Sequence, residues 1–269
     1  MSFTPGSMEG LPEPAKQRLA EMQRRKFFTS DLSVNEFLLV REAGFDPVGL
    51  VMGSSIYHIG FQMGKVFQNM ELDVLTQAMY QARELAMTRM EEEASILGAD
   101  GVVGVRLEVT RYVWGAEMAE FMAVGTAIKS RSGESLKGAD GRPFTSDLSG
   151  QDFWTLMQTG YRPVSLVMGN CVYHVAHQGL MQSLKQVGRN TEMVNYTQAL
   201  YDARELALSR MQAEAEREGA IGIVGTQVKE NSHGWESHVI EYFAVGTAVV
   251  EAKVDHQPPA PQMTLSLCD

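Results

Sequence analysis

The sequence contains few of the residues on which several classes of protein depend. It has only two cysteines, Cys171 and Cys268, which excludes a disulfide framework and favours a reducing compartment. Its formal net charge is −10, which argues against a nucleic-acid groove or an anionic membrane surface as the partner. No stretch approaches the roughly 18 apolar residues that a membrane span requires. These features predict a cytoplasmic protein that binds no nucleic acid and has no membrane span.

The sequence also lacks the short motifs of common catalytic sites. It contains no GxSxG elbow, no Walker loop, no GxGxxG after a strand and no HExxH. The glycine-rich stretch Gly98–Gly104 follows a helix pattern, whereas a phosphate cradle precedes the helix whose N-terminus holds the anion. We therefore predict a protein that is not an enzyme.

What the sequence does contain is an internal duplication. Gln77–Gly104 reads QAMYQARELAMTRMEEEASILGADGVVG, and Gln198–Gly225 reads QALYDARELALSRMQAEAEREGAIGIVG. The motifs FTSDLS, LVMG, Tyr-His and AVGTA also occur twice, 116 residues apart up to the histidine and 121 residues apart afterwards. Self-similarity on this scale predicts two domains of one kind.

Each repeat shows the same order of patterns. Pro47–Gly53 and Pro163–Gly169 are apolar runs between proline and glycine, which predicts buried strands. Ser54–Gln68 and Asn170–Gly188 resemble a helical turn or short helix. Long amphipathic helices and two closing strands follow. The expected long helices are Glu71–Leu97 and Glu192–Glu218, and the expected strands are Gly101–Thr110, Met118–Lys129, Gly222–Lys229 and His238–Val250. This order predicts an α+β fold of two tandem β-α-β-β repeats, each a small sheet with one long helix packed on it.

The remaining segments divide the chain. Residues 1–27 form an N-terminal tail, with a short helix over Glu13–Lys26, and Ser30 or Asp31 is expected to start a turn or to cap a helical segment over Asn35–Ala43. The first repeat covers 28–130, a polar linker 131–143 and the second repeat 144–250. The Pro-rich tail 251–269 ends in an alternating stretch that is suited to add to a sheet edge of its own or another chain.

The run from Gly53 through AREL, GADGVVG and AVGTA resembles the YbjQ-like family (UPF0145), bacterial proteins often labelled heavy-metal-binding domains. The resemblance covers about 28–130 and 144–250, and it implies a β-α-β-β domain that assembles into a five-fold ring. Five tandem chains would then supply ten domains, as two stacked rings or as one pseudo-symmetric ring. The second repeat departs from the pattern because Ile221 stands where the first has Asp100.

Charged residues on the helices are the first candidates for a site. Arg89 and Glu93 project onto the apolar side of the first helix, as do Arg210 and Glu214 on the second. A charge facing a core has to be paired, so we expect these to be structural pairs at an inter-subunit seam, with a ligand-binding carboxylate as the alternative. The pairs Arg83-Glu84 and Arg204-Glu205 are predicted to form a solvated face or a contact with a neighbour.

Cys171, His174 and His177 form C-x-x-H-x-x-H. On a helix these three side chains would lean towards one divalent or soft metal ion, such as zinc or copper. The alternative is a small buried cysteine, because the first repeat shares only His58 of the three.

Further candidates for an interface or ligand contact occur as matched positions: Tyr57, His58, Tyr173, His174, Trp114 and Trp235. No cofactor other than the metal ion is expected. The leading hypothesis is a non-enzymatic homo-oligomer, a pentamer of tandem chains, because closing a ring covers the edges of a small sheet. The alternative is a protein that binds a heavy metal or small ligand, and a third hypothesis is a hydrolase or lyase that uses the Arg/Glu pairs.

Overall fold

The computed structural model describes residues 10–58, 69–111, 118–133, 135–138, 140–175, 194–232 and 239–252. The predicted roles of Trp114, Trp235, His177 and the C-terminal segment after residue 252 therefore lie outside the described residues. Within the described ranges the chain forms five helices and eight strands.

The elements follow the duplicated order. The first half contains α1 (Glu13–Arg25), α2 (Val34–Glu42), β1 (Phe45–His58), β2 (Met70–Glu71), α3 (Asp73–Ile96), β3 (Gly101–Arg111) and β4 (Met118–Ser130). The second half contains β5 (Phe144–Thr145), α4 (Gly150–Gln158), β6 (Tyr161–His174), α5 (Val194–Arg217), β7 (Gly222–Ser232) and β8 (Val239–Glu251). This confirms the predicted α+β class and the two β-α-β-β repeats.

Each repeat builds an antiparallel sheet with its long helix on one face. In the first repeat β4 lies between β1 and β3, and in the second β8 lies between β6 and β7. The helices end as predicted, because Gly98 and Gly219 adopt positive φ angles of 70° and 71°. The predicted helix boundaries were right to within two residues for α3 and α5.

The long helix of each repeat approaches its first strand closely at one glycine. A Cβ atom on Gly53 would lie 2.1 Å from the carbonyl oxygen of Ala86, and one on Gly169 would lie 2.1 Å from that of Ala207. The helix side of this contact includes Ala86, which is fully buried. Because Gly53 and Gly169 have no side chain, helix and sheet pack at short range.

The two sheets exchange short strands, which the sequence did not predict. Strand β5 of the second repeat pairs in parallel with β3 of the first, with Phe144 opposite Gly101. Strand β2 of the first repeat pairs with the end of β6 in the second, with Met70 opposite His174. Both sheets therefore have four strands, in the orders β1-β4-β3-β5 and β2-β6-β8-β7. Neither repeat completes its sheet alone.

Two local predictions were wrong. The first strands do not end at Gly53 and Gly169 but continue to His58 and His174, so the helical turns expected to begin at Ser54 and Asn170 are strand there. Strands β4 and β8 supply backbone partners along the whole extension, since Met118 pairs with His58 and Val239 with His174. The N-cap of α2 is Ser33, not Ser30 or Asp31.

Candidate functional site

The contact between the two repeats, which we call the seam, contains a buried ion pair. Arg83 of α3 is 2% exposed, and its Nη1 lies 2.7 Å from Oε1 of Glu241 in β8, whose side chain is fully buried. The guanidinium lies 5.5 Å from the ring centre of Phe121 in the first sheet and 4.1 Å from that of Phe243 in the second. Helix α3 is therefore packed between both sheets. Arg83 therefore does not lie on a solvated face but is buried against the second repeat of its own chain.

The start of α3 covers the outer edge of β6. The backbone N–H of Val172 donates to Thr76 Oγ1 at 2.9 Å, and the Val172 carbonyl accepts from the Leu72 N–H at 2.8 Å. The side-chain amide of Asn170 donates to the Thr76 carbonyl at 3.0 Å. These bonds satisfy backbone groups of an edge strand that would otherwise be open to pairing with another chain.

The predicted pair of Arg89 with Glu93 does not form. Glu93 is bound by Arg18 of α1 at 2.5 Å and accepts the Met52 N–H at 3.0 Å, whereas Arg89 donates to the Ser54 carbonyl. Spacing along one helix could not show this, because the partners come from α1 and from the edge of β1.

The corresponding pair of Arg210 with Glu214 does not form either. Arg210 binds both carboxylate oxygens of Glu71 in the first repeat, at 2.5 and 2.9 Å, and Glu214 accepts from the Tyr80 hydroxyl at 3.0 Å. Both residues lie at the seam, on a cavity of about 760 Å³. Burial alone would raise the pKa of Glu71, but hydrogen bonds from Arg210 and Thr76 outweigh it and lower that pKa.

Other carboxyl groups at the seam, among them Glu214 and Glu91, have raised pKa values. Burial raises the pKa of Glu214 to about 7, and the nearby charge of Glu84 adds to the effect. Burial likewise raises the pKa of Glu91 to about 7, although the Arg142 guanidinium opposes the shift. Both line a smaller cavity of about 120 Å³ between α3, the start of β6 and α5.

We expect the stability of the chain to fall as pH rises from about 4.5 to 7. In this window the folded state keeps protons that the unfolded state releases near the ordinary pKa of 4.5, so the unfolding free energy decreases with pH. Glu214→Gln should remove part of this slope and stabilise the protein at pH 8, by on the order of 3 kcal/mol at most. Urea unfolding between pH 4.5 and 8 measures the effect.

The matched control for this prediction is Glu216→Gln, which alters an exposed carboxylate on the same helix. Its pH profile should follow that of the unchanged protein. A Glu214→Gln profile with an unchanged slope would contradict the assignment of a buried, protonated carboxyl group.

The repeated Tyr-His pairs end the first strand of each sheet. Tyr173 and His174 are buried, and β2 pairs with their backbone. Their counterparts differ, since Tyr57 packs edge-on against Phe121 with ring centres 6.4 Å apart and His58 is exposed. The Tyr-His pair of the second repeat is thus covered by the first repeat, whereas the pair of the first repeat lies on the outer strand β1 and is more exposed. Their predicted role as interface or ligand contacts remains a prediction.

The helical geometry assumed for the metal site was wrong. Cys171 and His174 lie on a strand, where residues three apart point to opposite faces of the sheet. Cys171 is fully buried, and burial, with the charge of Glu71, raises the pKa of its thiol to about 12, which disfavours the thiolate that a metal requires. Among the described residues no group of three His, Cys, Asp or Glu side chains is placed to hold a metal ion.

A family profile described as "Putative heavy-metal-binding" matches the chain twice, over residues 46–131 and 160–252. The chain belongs to the YbjQ-like family. The two matches confirm the tandem organisation and the resemblance on which the fold was predicted. No helix among the described residues is long and apolar enough to cross a membrane.

Relatives of this tandem YbjQ-like chain fall into two groups. A protein of Mycobacterium tuberculosis named encapsulin nanocompartment protein is 52% identical over 240 residues, which is 89% of this chain and 91% of that protein. UPF0145 proteins of Thermosipho africanus and Methanococcus maripaludis are each 38% identical, over 87 and 94 residues. Those matches cover 30% and 33% of this chain, and 79% and 82% of the relatives.

The residues that sequence reasoning missed are Arg83 and Glu241. A signal for them exists, because Glu241 is the one charge inside the apolar run Val239–Val250. A charge on an otherwise buried strand has to be paired, so this pattern predicts a basic partner. It does not say which arginine is that partner.

Proposed function

We propose that this chain is a non-enzymatic assembly protein in which identical tandem chains join into a closed homo-oligomer. The observation that carries the proposal is the seam, where each repeat completes its sheet with a strand from the other. Each repeat uses one side for the seam. We expect the other side of each repeat, at an outer end of the chain, to bind a further repeat in the same way. In the described ranges, β1 and β7 are outer strands with no further strand beside them. Unpaired edges of this kind favour association.

The ring that we favour contains five chains, and it forms in the cytoplasm. The name of the Mycobacterium tuberculosis relative, an encapsulin nanocompartment protein, agrees with a role in assembly. The C-terminal segment after residue 252 would add to an outer sheet edge, in its own chain or in a neighbouring one. Binding of a heavy metal or small ligand remains the alternative function.

Size-exclusion chromatography with light scattering tests the proposal. At micromolar concentration we expect a single species of five times 29.7 kDa, the mass of one chain. Another closed number of chains would correct the ring size and retain the assembly. A strictly monomeric mass at this concentration would contradict the proposed function.

A further inference from the structure

We propose that successive chains join head to tail by repeating the seam: the second repeat of one chain receives the first repeat of the next. This inference rests on the proposed function and specifies the surfaces that carry it. Residues of the two repeats correspond at an interval of 116 up to His58 and His174, and of 121 from the long helices onwards. Seam contacts whose residue types are the same in both repeats therefore have a counterpart pair, one member in each repeat. We call the contact that these counterparts would make the junction.

The first counterpart pair is a phenylalanine and a glycine socket. At the seam Phe144 is 2% exposed, and its ring occupies the place where a Cβ of Gly101 would lie, 2.2 Å from the ring atoms. The counterpart Phe28 is 43% exposed, and around Gly222 nothing lies within 4 Å of the Cβ position. The ring and the socket are thus both present and both open, at opposite ends of the chain.

The backbone segments around this socket also correspond between the two repeats. At the seam the Phe144 N–H donates to the Asp100 carbonyl at 3.1 Å, and the Ser146 N–H donates to the Val102 carbonyl at 2.9 Å. The segment that contains Phe28 is already held against its own sheet, because the Asp31 N–H donates to Thr126 Oγ1 just as that of Asp147 donates to Thr247 Oγ1. The outer side of this segment corresponds to the side on which Phe144 and Thr145 pair with β3 at the seam. The strand that corresponds to β3 is β7.

The second counterpart pair is ionic. Arg83 and Glu241 are buried against each other at the seam, and their counterparts are Arg204 and Glu120. The Arg204 side chain is 39% exposed and rests on its neighbour Glu205 at 3.1 Å, while Glu120 is half-buried on β4. Docking α5 on the first sheet of the next chain would bring this arginine to Glu120.

The third counterpart pair lies at the strand edge. Val172 is fully buried, and its N–H is bound by Thr76 at the start of α3. The counterpart Ile56 is 57% exposed on β1, and Thr197 at the start of α5 is half-buried. At the junction, the Ile56 N–H of one chain would donate to the Thr197 hydroxyl of the chain before it.

Exposed apolar side chains are concentrated on these two outer surfaces. They are Phe27, Phe28, Val34, Leu38, Met52 and Ile56 towards the N-terminus and Tyr201, Ile221 and Val228 in the second repeat, while Val74, Ile96, Val109 and Val194 are exposed elsewhere. Because the two surfaces differ, the contact is heterologous and generates a ring when the rotation closes. Seam and junction then use the same surfaces, which favours one pseudo-symmetric ring over two stacked rings.

The junction cannot copy the seam in every detail. At the seam Gly150 lets α4 approach α2 so closely that a Cβ would lie 2.7 Å from that of Glu36. Val34 stands at the corresponding place in the first repeat, so the junction is wider at this end. Helix α1 has no counterpart in the second repeat. Its Arg18 binds Glu93, whereas Glu214, the residue that corresponds to Glu93, faces a cavity at the seam.

Disulfide trapping tests the register in the full-length chain. The seam register places Phe28 of one chain opposite Gly222 of another, within the Cα separation that a disulfide spans. A chain with F28C, G222C and C268S should form a ladder of cross-linked chains under mild oxidation, while chains with only one new cysteine should not. A wild-type oligomer whose double-cysteine variant gives no ladder would overturn the inference.

A charge exchange tests the ionic pair. R204E and E120R are each expected to reduce the oligomer to a smaller species, and the double variant should recover the assembled mass. Unfolding curves of the single variants show whether each chain still folds, and the disulfide ladder decides if one does not. If wild type is monomeric, the proposed function itself fails. If wild type assembles and both charge variants keep its mass, assembly stands and the junction is wrong.

Discussion

Gly53→Ala is expected to lower the free energy of unfolding by about 3 kcal/mol, the upper part of the range for overpacked cores. The added Cβ would lie 2.1 Å from the Ala86 carbonyl oxygen and 2.6 Å from the Met90 nitrogen, both of them backbone atoms of α3. A side chain could rotate away, but backbone cannot. The helix also has no free direction in which to retreat, since Arg83 on its other side is packed between the two sheets.

Chemical denaturation followed by circular dichroism measures this loss. Thr88→Ala, on an exposed position of the same helix, is the matched control and should change the unfolding free energy by less than about 0.5 kcal/mol. A loss below about 1 kcal/mol for Gly53→Ala would mean that α3 and β1 are farther apart than the structure places them.

The sequence predicted the elements of each repeat because their signals are local. The apolar periodicity of α3 and the glycine that ends it lie within one segment, and the second repeat shows the same two signals. The end of β1 was missed for a local reason as well. Gly53 was interpreted as the end of the strand, whereas its function is to let a helix approach closely.

The seam was missed because its signals are not local. Strands β2 and β5 have two residues each, which is too short for a periodic pattern. Arg83 was placed on the flank of α3 because hydrophobic periodicity assumes a helix with one buried face. In this chain α3 is covered on two sides, and the second cover comes from a sheet whose long strands begin only at Tyr161, well after the helix ends at Ile96.

The candidate pairs of the helices failed for the same reason. The interval of four between Arg89 and Glu93 correctly placed two charges near the core but could not supply their partners. Arg18 comes from a helix outside the repeat, and the Glu71 that binds Arg210 comes from the other repeat. A duplicated sequence therefore predicts which positions correspond, while their burial differs according to which neighbour each repeat has.

Arg83→Met is expected to destabilise the chain by about 3 to 5 kcal/mol, because it leaves the carboxylate of Glu241 buried without its cation. Removing both charges has a different consequence. In the double variant Arg83→Met, Glu241→Leu, apolar side chains of similar size fill the space between the two sheets, and most of the lost stability should return. Arg204→Met, measured in dilute protein, is the matched control, since its side chain is 39% exposed and its ion pair with Glu205 is screened by solvent.

Denaturant unfolding of the three variants separates two roles for the buried pair. If it serves stability alone, the double variant should keep the seam intact, with the native distance between the repeats in solution scattering. If it also fixes how the repeats align, the double variant should be stable but occupy more than one arrangement, since apolar surfaces are less specific about register than a charge pair. A single variant that unfolds like the unchanged protein would show that Arg83 is not buried against Glu241.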